Sequence, residues 1–166
     1  MLTARRARGH RDGGSVAVLI IGCTAIAAAL IVLGVDVSKV FLARRALASA
    51  ADSAALAAAQ GIDTRSLYAG AGPHCGDQLP LSDDRAITLA TDAVRDAAPG
   101  LHRTFVSLDD PQTTVNRRTV TVSMSGEVAV PFGRIIGWLD PALSDGRVRV
   151  RETSHAASPV VGNSTC

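Results

Sequence analysis

The stretch Val16–Val35, VAVLIIGCTAIAAALIVLGV, runs straight on into Asp36–Gly61, DVSKVFLARRALASAADSAALAAAQG, and the reading of this junction decides the fold. At about 1.5 Å per residue the first stretch spans roughly 30 Å, the thickness of a bilayer's hydrocarbon core. Asp36 to Gln60 contains neither Gly nor Pro and leans on Ala, the strongest helix former. The expectation is one helix over residues 15–61, running from the membrane interior well out into water.

Outward from that helix, residues 1–14 (MLTARRARGHRDGG) are basic and lack periodicity, and read as a disordered cytoplasmic tail. Arg5, Arg6, Arg8 and Arg11 precede the span, against Lys39, Arg44 and Arg45 after it. Arg44 and Arg45 lie nearly three turns beyond the bilayer edge, and long C-terminal domains translocate largely regardless of charge. The N-terminus is therefore expected in the cytoplasm, with residues 62–166 outside the cell membrane as a small extracytoplasmic domain. Two rivals exist for the anchor. A cleavable signal has a shorter apolar stretch and a small-residue cleavage site, which this chain lacks. Ile20-Ile21-Gly22-Cys23 is similar to a lipobox, which would make the chain a lipoprotein lipidated at Cys23, although twelve further apolar residues follow that cysteine.

The extended helix carries small or apolar residues at Leu33, Val37, Val40, Leu47, Ala51, Ala54 and Ala58, a stripe at helical spacing. Ala51, Ala54 and Ala58 allow close approach of another helix, and the same face is equally suited to docking on the chain's own outer domain. Asp36 and Lys39, three residues apart at the membrane edge, are placed to pair or to anchor the helix at the headgroups. Gly61 ends the helix and a loop follows. Ser82-Asp83-Asp84 offers an N-cap and two first-turn carboxylates, predicting a helix from Asp83 to about Ala98 with Ile87, Ala90, Val94 and Ala97 buried. Pro99-Gly100 is its expected stop.

From Leu101 the period changes to two. Thr104–Leu108 reads as a short strand and Arg118–Val130 as a longer one, with Ser125-Gly126 marking a bulge. An apolar connector, PFGRIIGWLDPAL, and an Asp145-Gly146 turn lead to RVRVRET, where Val148 and Val150 face in. The fold class is α+β: a transmembrane helix extended into a long Ala-rich helix, then one helix and about three antiparallel strands in a meander, helices on one face.

Composition narrows the function. With 166 residues and about sixty in the anchor and its extension, one modest core remains. A net charge of +2 and 3% aromatic residues offer no basic face or stacking platform, so no nucleic-acid partner is expected. Cys75 and Cys166 both fall outside the membrane on this topology; an oxidising compartment lets them pair, and otherwise they are separate thiols. His74-Cys75-Gly76-Asp77 lacks a second ligand cluster for a structural metal, and no cofactor is expected. His102, Ser107 and Asp109 lack the nucleophile-elbow motif of a hydrolase, and Asn163-Ser164-Thr165 is a short glycosylation pattern that arises by chance.

The segment GGSVAVLIIGCTAIAAALIVLGVDVSKVFLARRALASAADSAALAAA resembles the N-terminal segment of the Tad (Flp-type) pilus assembly proteins, the TadE/TadG-like group. Asp36, the Arg44-Arg45 pair, Ala50, Ala51, Asp52 and Ala54 to Ala59 stand at that pattern's positions, and TVTVSMSGEVAVPFGRIIG looks like the outer part of such proteins. The resemblance implies a membrane-anchored, minor pilin-like or assembly component of a bacterial cell envelope, partnered by the lipid bilayer and other pilus subunits, with no catalytic role. Relatives cut by a prepilin peptidase carry Glu five places after the cleaved Gly, where this chain has Val18 or Leu19. Asp36-Val37-Ser38-Lys39-Val40 also lacks the last Ser of the metal-binding motif found in larger relatives. The alternative is an anchored envelope enzyme or binding module unrelated to pili.

Overall fold

The computed structural model describes residues 13–69, 77–130, 132 and 145–161. Most of the basic tail, loop residues 70–76, the apolar connector apart from Phe132, and both Cys75 and Cys166 lie outside the described residues.

Helix α1 spans Gly13–Ala59, 47 residues without a break, a rod of about 70 Å. It has two halves. Its first half is long and apolar enough to cross a membrane, with a mean hydropathy of 2.9 and none of that window buried against the protein. From Asp36 onward one side is buried: Asp36, Ala43, Leu47, Ala50, Ala51, Ala54, Ala55, Ala58 and Ala59. The steps of three and four keep these residues on one face. The stripe was expected to include Leu33 and Val37, but both are exposed. Leu33 precedes the docked half, and Val37 points about 100° away from Asp36 around the helix.

Past Gly61 the chain turns through α2 (Thr64–Tyr68), one helical turn inside the expected loop. The Asp63 carboxylate accepts from the backbone N–H groups of Arg65 at 3.0 Å and Ser66 at 3.4 Å, which satisfies donors a first turn leaves orphaned. Helix α3 (Asp83–Leu101) then runs back along α1. Ala86 and Ala90 are buried and Ala93, Val94 and Ala97 half-buried against the core, so the seam between the two helices is largely alanine on alanine. Ile87, expected on this face, is 44% exposed. Position 86 faces α1 instead: a β-carbon on Gly61 would come 2.8 Å from the Ala86 backbone nitrogen, and Ile87 lies about 100° farther round α3. Pro99 does not stop the helix, which continues to Leu101. Proline removes one N–H from the ladder, the turn still closes through His102 N–H to the Ala98 carbonyl at 2.9 Å, and Leu101 is buried in the core.

Four strands follow: β1 (Ser107–Leu108), β2 (Gln112–Asn116), β3 (Thr119–Ala129) and β4 (Arg147–Ala157). β4 pairs antiparallel with β3 along its whole length, while β1 and β2 occupy the other edge of β3 in succession. The first expected strand is thus shortened to two residues, and β2 is an addition to the expected set. The antiparallel sheet with helices on one face stands as expected. Val120, Val122, Met124, Gly126 and Val128 of β3 all point into the core, beside Val148 and Val150 of β4. No bulge occurs at Ser125-Gly126, where the register runs unbroken from Met124↔Glu152 to Gly126↔Val150. Gly126 is required instead by the Phe105 ring, whose Cδ1 would lie 2.8 Å from an added β-carbon. The expected turn before β4 is present, with Gly146 at φ 62°, a conformation that favours glycine.

Candidate functional site

The junction between the apolar half of α1 and the folded domain gathers the residues singled out for the membrane edge. Asp36 is only 5% exposed, and its Oδ1 has no hydrogen-bond partner. Lys39 is exposed and makes no ion pair with Asp36, among the described residues. The reason is angular: Asp36 faces the domain, and Lys39 sits about 60° around the helix on its flank. Arg44 does find a partner, its Nε donating to Glu152 Oε1 of β4 at 2.7 Å. Glu152 lies on the helix-facing side of β4, opposite Met124, so this pair ties α1 to the sheet. Arg45 is exposed on the opposite side.

Lys39 and Leu42 line one side of a groove of about 400 Å³, with Arg103, Thr104, Phe105, Val106, Val128 and Ala129 as its other lining among the described residues. It sits where the end of α3, the entry to β1 and the end of β3 meet α1. Two of its walls carry a cation, the rest is mostly apolar, and no carboxylate lines it among the described residues. Sequence reasoning singled out Lys39 for the membrane edge but missed this groove, since Arg103, sixty-four positions away, lies in no motif.

Ala51, Ala54 and Ala58 are 0% exposed, packed in the chain's own core with Ala86, Ala90 and the inner residues of β3. Of the two uses foreseen for this face, docking on the outer domain is the one the fold makes of it. The opposite face of α1 is open: Val37, Phe41 and Leu56 are 61%, 64% and 62% exposed, and Arg45 and Asp52 between them are exposed too. Steps of four and seven put these five residues on one side.

The sheet face turned away from the helices is polar apart from Ala129 and Ala157 at the ends of β3 and β4. Thr121 Oγ1 and His155 Nδ1 are 2.8 Å apart, Ser123 Oγ and Thr153 Oγ1 2.9 Å. Ser125 donates to Asp109 Oδ2 at 2.7 Å, and Arg147 and Arg149 each reach Glu127 at 3.5 Å. Asp109 is therefore engaged by Ser125 and Arg149 rather than by His102, which caps α3. Such exposed hydrogen bonds and ion pairs give the strand face solubility more than stability. No cluster of three metal-ligating side chains occurs among the described residues. Cys23 is a free, exposed thiol in the unbroken first half of α1.

The comparison with known families meets this architecture at its longest element. Residues 14–61 match the family described as putative Flp pilus-assembly TadE/G-like. The matched segment is α1 almost end to end, less than a third of the chain. No curated protein and no solved structure matches the chain. Residues 14–61 are thus a TadE/G-like segment, and α1 is a candidate membrane-spanning helix.

Proposed function

We propose that this chain is a single-pass membrane protein, N-terminus cytoplasmic and outer domain extracytoplasmic, that acts in a bacterial Tad-type pilus as a minor pilin-like or assembly subunit without catalytic activity of its own. The observation that carries the reading is the coincidence of the TadE/G-like match with a helix that is apolar and exposed in one half and the spine of a folded domain in the other. Four arginines ahead of the span favour the orientation.

In this reading the subunits meet through the open side of α1. Its apolar Val37, Phe41 and Leu56 supply dispersion and buried area, and Arg45 and Asp52, two turns apart with opposite charge, suit a staggered neighbouring helix. The alanine face has no such part, since the chain's own fold uses it.

The test is genetic and microscopic. In cells lacking the chromosomal copy, surface pili counted by electron microscopy should disappear and return with the wild-type gene. A Val37→Glu/Phe41→Glu variant should insert and fold yet fail to restore them. Unchanged pilus numbers in the deletion strain would sink the proposal. A C-terminal alkaline phosphatase fusion, active only outside the cytoplasm, reports the orientation separately. Intact mass of the protein from native membranes reports lipidation at Cys23 and pairing of Cys75 with Cys166.

A further inference from the structure

From the groove beside Lys39 we infer that the base of the outer domain holds an anionic phospholipid headgroup; the inference rests on the reading of α1 as a membrane span. The argument begins with depth. If the apolar run Val16–Val35 fills the hydrocarbon core, Asp36 marks its boundary. Lys39 then stands about 4.5 Å beyond it, within the headgroup layer, which occupies roughly 5–8 Å on each side of the core, and Leu42 about 9 Å beyond it, at the outer edge of that layer.

Direction supports depth. Val35, Lys39, Leu42 and Ala46 follow one another at steps of four, three and four, so they line a single flank of α1. The lipid-facing surface of the span therefore leads up into the groove, from exposed Val35 past Lys39 to exposed Leu42. Across from them stand Arg103 and Thr104, with Phe105, Val106, Val128 and Ala129 as further wall among the described residues. A phosphodiester meets two cations and a hydroxyl donor there, while the lipid's glycerol and first acyl carbons, which lie deeper, run down the same flank of α1 along exposed Val35. Charge complementarity selects the lipid class. With two cations and no acidic lining residue among those described, the groove disfavours a zwitterionic headgroup's ammonium and favours a net negative one, each cation near an anionic surface contributing about 1 kcal/mol, or fivefold.

The full-length protein in nanodiscs of phosphatidylcholine, doped with spin-labelled phosphatidylglycerol or spin-labelled phosphatidylcholine, gives the test. Electron spin resonance measures the immobilised fraction of each lipid. The expected result is a preference of about 25-fold for phosphatidylglycerol from the two cations together, falling to parity in Lys39→Gln/Arg103→Gln and retained in Lys39→Arg. Arg65→Gln, on the distant exposed α2, should leave it unchanged. Equal immobilisation of the two lipids by the wild-type protein, or a preference that survives in the double variant, overturns the inference. Sodium carbonate extraction of the same protein from membranes separates this outcome from failure of the span. A chain that stays in the membrane pellet yet shows no lipid preference lacks the headgroup site only, whereas a chain released into the supernatant was never spanning, and both readings fall.

Discussion

Single atoms set the tolerances of the outer domain. At Gly126 an added β-carbon would meet the Phe105 ring and the Ser107 carbonyl at 2.8 and 2.9 Å, and the carbonyl belongs to a strand that cannot step aside. Gly126→Ala is therefore expected to destabilise the domain by about 1–3 kcal/mol, read as a lower midpoint in thermal unfolding followed by circular dichroism. Ala54→Leu, at a fully buried position, should cost about as much by overpacking the alanine seam. Lost pilus output in that variant would then follow from lost fold, which the same melting curve reports. Residue identity in the sequence was legible only in part. Gly126 announced itself as unusual, but glycine in a strand signals either a bulge or a close neighbour, and the neighbour, Phe105, becomes visible only once the sheet is assembled.

Among the elements, those with long, consistent patterns were readable and those defined by contact were not. The apolar run and the Gly- and Pro-free alanine tract gave α1 nearly to the residue, and the alternation of β3 and β4 gave the sheet its core face. β2 was hidden because QTTVN has one strongly apolar residue, Val115, and follows a proline. The buried face of α1 was misjudged at its start, where the residue that turns inward is Asp36, a carboxylate that no apolar template counts. The seam of α3 keeps the expected Ala90, Val94 and Ala97 and takes Ala86 in place of Ile87. Between elements, the Arg44–Glu152 pair has both members partly in water, at 62% and 24% side-chain exposure. Glu152→Gln should accordingly lower stability by less than about 1 kcal/mol, an effect that fades as salt is raised; a larger, salt-independent loss in urea titrations would mean that the pair holds the sheet to the helix.

Taken whole, the molecule is two bodies sharing one helix, with no flexible linker between them. A Pro-rich or Gly-rich tether would let a domain tumble above its anchor; α1 passes instead from Val35 to Asp36 without interruption. Ser38→Pro breaks that continuity, since proline in a helix interior removes a hydrogen bond and kinks the rod at a cost of about 3 kcal/mol. Spin labels at Ala29 and Leu56, both on α1, should give a narrow distance distribution in the wild type and a broad one in the variant. Equal widths would mean that the rod already bends at the membrane surface.

An unjointed rod is a lever. With α1 spanning the bilayer as proposed, the helix projects from Asp36 to Ala59, about 36 Å beyond the bilayer boundary, and a change of about 5° in its tilt swings the far end by roughly 3 Å. Spans tilt to match the thickness of the surrounding lipid. On that proposed span, bilayer thickness is a mechanical input, converted at the outer tip into a sideways displacement comparable to the spacing of hydrogen-bonded atoms.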